Sequence, residues 1–177
     1  DHGTGKFTEK QLINPSDNLI VCGLHSLYND NDSIYDLKIF MDTDEKLKKK
    51  WKVKRDVKER GYSVEKVLDS IKKREGDFVD YISPQKNNAD LIIKFFTTEE
   101  IDLNDLGSDN KLSLELSVTK NLNVSNILQH FKSLSVDVSV TYDENFTIIR
   151  FMEYKELDLG LGTNSFYDYI LYFILNL

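Results

Sequence analysis

Apolar and polar positions alternate differently in the two halves of the chain. Three short runs within residues 1–96 are apolar on both faces, namely 19–23 (LIVCG), 36–42 (DLKIFMD) and 90–96 (DLIIKFF). Such runs, separated by helical patterns, are typical of a buried parallel sheet in an α/β layer. The sequence therefore predicts three parallel strands in its first half.

Two helical patterns lie between the second and third of these runs. The first predicts a helix over residues 44–60, with Thr43 as its N-cap and Gly61 as its C-terminal stop. The second begins after Ser63 and should end near Tyr81, because a proline follows shortly afterwards. Its apolar residues follow the i, i+3, i+4, i+7 spacing of one buried stripe: Val64, Val67, Leu68 and Ile71.

The pattern changes after about residue 97. Strict alternation predicts strands with one wet face, and a turn at 143–145 predicts that the last two strands pair as a hairpin. Two amphipathic or apolar stretches predict short helices. The strands are expected at 112–118, 136–142 and 146–154, and the helices at 124–131 and 166–177. We therefore predict two parts: residues 1–96 with parallel strands, and residues 97–177 as an antiparallel extension with a terminal helix.

Composition narrows the classes of function. The 177 residues suit one domain, and 23 basic against 30 acidic residues leave a net charge of −7, which disfavours a nucleic-acid partner. The single cysteine, Cys22, excludes an internal disulfide and a zinc site of several thiolates. Since no signal-peptide run is visible and 166–177 is shorter than the roughly 20 residues of a membrane helix, we expect a cytoplasmic protein without a membrane partner.

The scarce arginines mark a candidate site. Of four arginines in the chain, Arg55 and Arg60 lie five residues apart. On a helix, the charged residues Lys52, Arg55, Asp56, Glu59 and Arg60 fall within one arc of about 140°. Carboxylates at this spacing can fix guanidinium groups, which suits recognition of phosphate. The alternative is a solvated, salt-bridged helix in an interaction domain.

Several motifs occur in an order and spacing that resemble a known family. They are DTD at 42–44, RDVKERG at 55–61 and PQKNNAD at 84–90. Together they resemble the phosphoribulokinase/uridine kinase family of P-loop kinases. Three details look closer to phosphoribulokinase: GLH at 23–25, WK at 51–52 and PQK at 84–86. The opening residues 1–5 and 12–13 resemble the segment that leads into the first strand in the same enzymes. The resemblance covers residues 1–96, whereas 97–177 match only in kind.

The resemblance implies part of a P-loop kinase three-layer α/β fold, in which helix 44–60 is a lid over the nucleotide phosphates. Arg55 and Arg60 would contact ATP or the transferring phosphoryl group, and Asp56 would orient them or lie close to the sugar. His25 and Lys52 would bind a phosphorylated acceptor, and Lys86 would lie near the nucleotide base. The implied reaction passes a phosphoryl group from ATP with Mg²⁺ to a sugar or sugar-phosphate hydroxyl, with ribulose 5-phosphate or a nucleoside such as uridine as acceptor.

Two departures from the family pattern change this expectation. The sequence contains no phosphate-binding loop of the form G-x-x-x-x-G-K-[S/T], and it begins at Asp1. We therefore expect a C-terminal fragment of a kinase that is inactive alone, with unpaired strand edges open to self-association into a homo-oligomer. Cys22 occupies the position where the family has an acidic residue that helps to place Mg²⁺, and a thiol is a poor ligand for that ion. We therefore predict no metal site, and a non-catalytic binding or regulatory module is the alternative.

Overall fold

A five-stranded mixed sheet runs through both halves of the chain. The computed structural model describes residues 6–10, 12, 14, 16–17, 19–28, 34–152 and 166–177. In the order β1-β2-β3-β5-β4, the first pair of strands is parallel and the others are antiparallel. This confirms the mixed α/β class, the parallel pairing of the second and third apolar runs, and the hairpin. The strands are β1 (Ile39–Thr43), β2 (Leu91–Phe96), β3 (Ser113–Thr119), β4 (Val138–Tyr142) and β5 (Phe146–Phe151).

The first apolar run does not form a strand, so the prediction for 19–23 is wrong. Its side chains point into solvent, with Leu19 78% and Ile20 87% exposed. An isolated extended segment lacks both a hydrogen-bonding partner and layers to cover its two faces. Among the described residues, β1 pairs only with β2, and no strand lies next to its other edge. The apolar run therefore stays at the surface.

Helix α1 (Glu45–Arg60) begins one residue later than predicted. Asp44 is its N-cap, and its carboxylate accepts hydrogen bonds from the backbone N–H groups of Lys46 at 3.0 Å and Leu47 at 3.4 Å. The prediction of Thr43 as the cap is wrong, because Thr43 still pairs within β1 and its hydroxyl donates to the Asp42 carbonyl at 2.7 Å. Gly61 ends the helix in the left-handed region with φ of 67°, as predicted.

Loss of this cap should destabilise the protein measurably. We expect Asp44→Ala to lower the free energy of unfolding by about 1 kcal/mol, because two N–H groups of the first turn lose their acceptor. Urea denaturation followed by circular dichroism measures the change. Thr43→Val is the matched control, since it keeps the shape of the strand residue beside the cap. An equal loss in both variants would contradict the assignment of Asp44.

Helical backbone continues further than predicted after α1. Helix α2 (Val64–Lys73) is capped by Ser63, whose hydroxyl accepts from the Lys66 N–H at 3.3 Å. The prediction of one helix that ends near Tyr81 is wrong. Helix α2 already ends at Lys73, and separate helical turns continue to Asn88. Pro84 lies at the start of the last turn, where its missing N–H costs nothing. The helical turns that follow α2 are α3 (Glu75–Asp77), a π-helical turn (Phe78–Ile82) and a 3₁₀ helix (Ser83–Asn88).

Aromatic side chains join the last two helices to the sheet. Phe131 of α4 (Ser125–Ser133) is fully buried, and its ring centroid lies 5.3 Å from that of Phe151 on β5 and 5.4 Å from that of Tyr169 on α5 (Phe166–Leu175). The main hydrophobic core therefore joins β2, β3 and β5 to α4 and α5. The end of the strand predicted to reach residue 154 lies outside the described residues. No helix in the described ranges is long and apolar enough to cross a membrane.

The loop between β2 and β3 fixes the middle of α1. Lys50 is 3% exposed, and its ammonium group donates to Asn110 Oδ1 at 3.1 Å and lies 3.5 Å from Ser108 Oγ. One turn further along, Lys54 forms an ion pair with Asp109 of the same loop. Helix α1 is thereby attached to the part of the chain that leads into the antiparallel strands.

Candidate functional site

Two arginines of α1 are held by one buried carboxylate. Asp56 Oδ1 accepts from Arg55 Nε at 2.8 Å and lies 2.8 Å from Arg55 Nη2 and 3.2 Å from Arg60 Nη1. Asp56 is only 4% exposed, whereas the side chains of Arg55 and Arg60 are 48% and 53% exposed. The sequence placed Asp56 on the charged surface of the helix, but the structure buries it beneath the arginines. Two accessible guanidinium groups are therefore fixed by one anchor.

The same contacts shift the pKa values of this group. The hydrogen bond from Arg55 holds the pKa of Asp56 below its ordinary value of 3.8, and the charges of Arg55, Arg60 and Lys52 act in the same direction against the opposing effect of burial. In return, the hydrogen bond to Asp56 raises the pKa of Arg55. Asp56 is thus a permanent anion at neutral pH, which keeps both guanidinium groups in place.

This shift predicts a pH-dependent contribution to stability. Because the pKa of Asp56 is lower in the folded state, its contribution is fully present above about pH 4 and is lost as the pH falls through the lowered value. We expect Asp56→Asn to cost about 1–3 kcal/mol of unfolding free energy at pH 7 and progressively less below pH 4. Urea titrations at pH 7, 4 and 3 measure it.

A carboxylate outside the arginine group provides the control for this prediction. Asp69 forms an ion pair with Lys73 at 2.7 Å, with side chains 60% and 73% exposed. Asp69→Asn should change the free energy of unfolding by less than about 1 kcal/mol, since such surface pairs contribute little. If Asp56→Asn and the wild type lost stability in parallel as the pH falls, the role of Asp56 as an ionised anchor would be wrong.

A cavity of about 710 Å³ lies beside α1, α2 and the turns that follow α2. Two residues predicted to bind the acceptor, His25 and Lys52, both line it. Arg74 at the end of α2 lines it as well, and within the described residues its guanidinium forms no ion pair, unlike the other three arginines. Arg55, Asp56, Arg60 and Lys86 are not among the lining residues. His25 and Lys52 therefore line the same cavity. Arg55 and Arg60 lie on another part of α1, the helix that carries Lys52.

Asp42 at the end of β1 organises the lysines beside the cavity. It is 8% exposed, and its Oδ2 atom accepts from Lys86 Nζ at 2.6 Å while its Oδ1 atom lies 3.9 Å from Lys48 Nζ. Lys86 also lies 5.6 Å from the ring centroid of Phe40, and Lys48 lies over a second aromatic ring, that of Phe78, at 4.2 Å. The sequence identified Asp42 only as part of a motif and missed its contact with Lys86.

The segment of residues 23–28, called the His25 turn below, is held by a buried side chain. Gln85 of the 3₁₀ helix is 4% exposed and bonds to the backbone on both sides of His25. It accepts from the Leu27 N–H at 3.1 Å and donates to the Leu24 carbonyl at 3.0 Å and to the Tyr81 carbonyl at 2.8 Å. Sequence analysis noted Gln85 only as part of a motif. Its hydrogen bond to Leu27 joins residues that are 58 positions apart, so no local sequence pattern predicts it.

Metal-ligating side chains are not clustered in the described part of the chain. Cys22 is an exposed free thiol at the end of the unpaired apolar run. Within the described ranges, no group of three or more His, Cys, Asp or Glu side chains could hold a metal ion. The opening residues 1–5 that contributed to the resemblance lie outside the described part of the chain.

Comparison with solved structures defines the class of fold. The structure is similar to that of the phosphoribulokinase from Rhodobacter spheroides, with a TM-score of 0.51 and 18% sequence identity over 82% of this chain and 49% of that one. At this identity the likeness establishes the fold alone, which is that of a P-loop kinase. The predicted fold class is confirmed.

The chain belongs to the Phosphoribulokinase / Uridine kinase family, whose model matches residues 1–102. It is 39% identical to the chloroplastic phosphoribulokinase of Spinacia oleracea over 60% of this chain and 27% of that protein. For the phosphoribulokinase of Synechocystis the identity is 36% over 58% and 31% of the two chains, and for the uridine kinase of Ligilactobacillus salivarius it is 30% over 65% and 50%. The resemblance, closer to phosphoribulokinase, is confirmed. The chain spans about a third or less of these two phosphoribulokinases.

Proposed function

We propose that this chain contributes the lid and part of the acceptor site of an ATP-dependent kinase that phosphorylates a sugar or sugar-phosphate hydroxyl. The observation that carries the proposal is the fixed pair of exposed guanidinium groups on the buried carboxylate of Asp56. Guanidinium groups held in one pose stabilise the charge on a transferring phosphoryl group without reorganising during the reaction. Arg55 and Arg60 would contact ATP or that group, and Asp56 would orient them.

The cavity beside α1 would receive the acceptor. His25 and Lys52 would bind its phosphate, and the guanidinium of Arg74, at the C-terminal end of α2, would add further hydrogen-bond donors. Lys86 would lie near the nucleotide base, with its charge already balanced by Asp42. A phosphorylated sugar suits this mixture of cations and carboxylates, because carboxylates accept hydrogen bonds from hydroxyl groups.

The phosphate-binding loop would come from outside these 177 residues. The sequence contains no such motif, and the chain corresponds to 27% of the spinach relative. In this proposal residues 1–96 are the C-terminal part of the kinase core and 97–177 are its extension, and the chain is inactive alone. ATP and Mg²⁺ would bind to the longer protein, and we assign no role in binding Mg²⁺ to the described residues. A cytoplasmic location and self-association stay predictions.

The test compares the longer protein with the 177-residue chain. With ATP and Mg²⁺, ADP release should depend on ribulose 5-phosphate, be weaker with uridine or unphosphorylated ribulose, and be absent for the chain alone. Coupled spectrophotometry measures the release. No acceptor-dependent release from the longer protein would refute the proposal, and preference for uridine would assign a nucleoside kinase instead.

A non-catalytic relative is the second candidate, and Cys22 is the observation that favours it. The family resemblance implies an acidic residue at this position, and the thiol here is exposed and a poor magnesium ligand. This candidate predicts ligand binding by the longer protein without turnover. Recovery of turnover in Cys22→Glu, with Cys22→Ser as the matched control, would assign the loss of activity to this position.

A further inference from the structure

The His25 turn is attached to the rest of the protein by side chains of the 3₁₀ helix. Gln85 uses its acceptor and both of its donor hydrogens, on the Leu27 N–H, the Leu24 carbonyl and the Tyr81 carbonyl. Asn88 adds a hydrogen bond from Nδ2 to the Leu27 carbonyl at 3.0 Å. The backbone on both sides of His25 is thus bonded to side chains some sixty residues away in the sequence.

The turn is also held by apolar packing, since Leu27 is only 7% exposed. The segment before it is exposed and unpaired, and His25 itself is exposed. Two ring contacts also involve the turn: a T-shaped one between His25 and Tyr28 at 5.9 Å and a tilted one between Tyr28 and Tyr81 at 6.0 Å. Through three hydrogen bonds, Gln85 thus links this turn to Tyr81, and Leu24, His25 and Tyr81 all line the cavity.

Glutamine is the residue type that this position requires. It must accept one hydrogen bond and donate two, and among uncharged side chains only an amide does both through one planar group. A carboxylate would face two carbonyl oxygens without a hydrogen to donate, and an apolar side chain would leave three backbone groups without their partner.

We infer that Gln85 is a positioning residue that holds His25 at the acceptor end of the cavity. The inference rests on the proposed function, in which His25 binds the acceptor. Gln85 acts through the backbone of Leu24 and Leu27, so it fixes the imidazole in place without contacting the ligand itself. It would thereby reduce the ordering that ligand binding otherwise requires of a surface turn.

The first measurement tests the attachment itself. Amide hydrogen exchange of the Leu27 N–H, followed by NMR on the 177-residue chain, should be slowed in the wild type and accelerated at least about tenfold in Gln85→Leu, and to a smaller extent in Gln85→Glu, which keeps an acceptor for this N–H. The Leu91 N–H, which donates to the Lys38 carbonyl at 3.1 Å, reports that the sheet is still folded. Gln129→Leu on the exposed surface of α4 is the matched control and should change neither rate. Unchanged Leu27 exchange in folded Gln85 variants would overturn the inference.

The second measurement tests whether Gln85 acts through His25. Calorimetric binding of ribulose 5-phosphate to the longer protein without ATP requires no turnover. We expect Gln85→Leu to weaken binding about tenfold in the wild-type background and less than about twofold in the His25→Ala background, since coupled residues are not additive. Gln85→Glu, which keeps the acceptor for the Leu27 N–H, repeats the cycle if the leucine variant fails to fold.

The outcomes separate this inference from the proposed function. An equal loss in both backgrounds would mean that Gln85 only supports the fold, and it would overturn the positioning role. If the effects of Gln85 and His25 on binding are coupled but no ADP is released, the inference is upheld and only the proposed phosphoryl transfer is refuted. Absence of ribulose 5-phosphate binding to the wild type would overturn both the acceptor site and the positioning role.

Discussion

Replacement of Arg60 by alanine is expected to lower kcat about a thousandfold in the longer kinase that we propose contains this chain. An arginine that stabilises charge on a transferring phosphoryl group contributes about that much or more to turnover. Arg60 lies at the end of α1, with half of its side chain exposed and its Nη1 atom 3.2 Å from the buried Asp56 carboxylate. Steady-state ADP release at saturating ATP and ribulose 5-phosphate measures the loss.

Two further variants show what the loss means. Arg60→Lys keeps the charge but not the planar fork, so it should recover only a small part of the activity. Arg150 is the matched control, because it forms an ion pair with Glu115 at 2.6 Å between β5 and β3, away from α1. Arg150→Ala should retain kcat within about threefold, because this arginine is on β5 and not on α1, which carries the proposed phosphate contacts. Activity of Arg60→Ala within the same range would exclude a role in phosphoryl transfer.

Truncation of Phe131 is expected to have the largest effect on stability. Its ring is fully buried and contacts Phe151 of the sheet and Tyr169 and Tyr172 of the last helix. Phe131→Ala should lower the free energy of unfolding by about 3–5 kcal/mol, because the cavity it leaves cannot be filled by side chains held in a sheet. Urea denaturation monitored by circular dichroism and by Trp51 fluorescence measures the change.

The position of the fluorescent probe makes this experiment informative about the two halves of the chain. Trp51 lies on α1 in the first half, whereas Phe131 lies in the second half. Because β2 and β3 pair along six residues, both halves share one sheet, and both signals should shift together to lower urea. Phe7→Ala, at a fully exposed position, is the control without effect. Two separate transitions would contradict the cooperative unit.

Local features were accessible to sequence reasoning. The parallel strands β1 and β2 were predicted because their runs are apolar on both faces and helical patterns separate them, and Gly61 was predicted because few other residues adopt a positive φ at a helix end. The pair Arg55 and Arg60 was visible from its spacing, and the family comparison agrees with the motifs around it. These signals lie within a few residues of the features they predict.

Features that depend on distant contacts were not accessible. The run 19–23 has strand composition, but whether it forms a strand depends on a neighbour on the free edge of β1. The burial of Asp56 depends on what packs over α1, and helical periodicity assigned it to the surface. Gln85 makes its hydrogen bonds to Leu24 and Leu27 only because the fold places residues 24–27 beside the 3₁₀ helix.

The contacts of α1 with the loop after β2 determine which part of the helix can move. Its first turn is attached to the sheet, where the Asp44 N–H donates to the Phe95 carbonyl at 2.9 Å, and Lys50 and Lys54 attach its middle to the loop. Arg60 lies six residues beyond Lys54, about 9 Å further along the axis. The helix is thus attached over its first ten residues to the sheet and the loop, and its C-terminal end, which carries the arginines, leads through Gly61 into α2, which packs against it. If α1 is the lid that we propose, we therefore expect it to close over the phosphates only together with the loop and the sheet, as one unit, and not by bending of the helix alone.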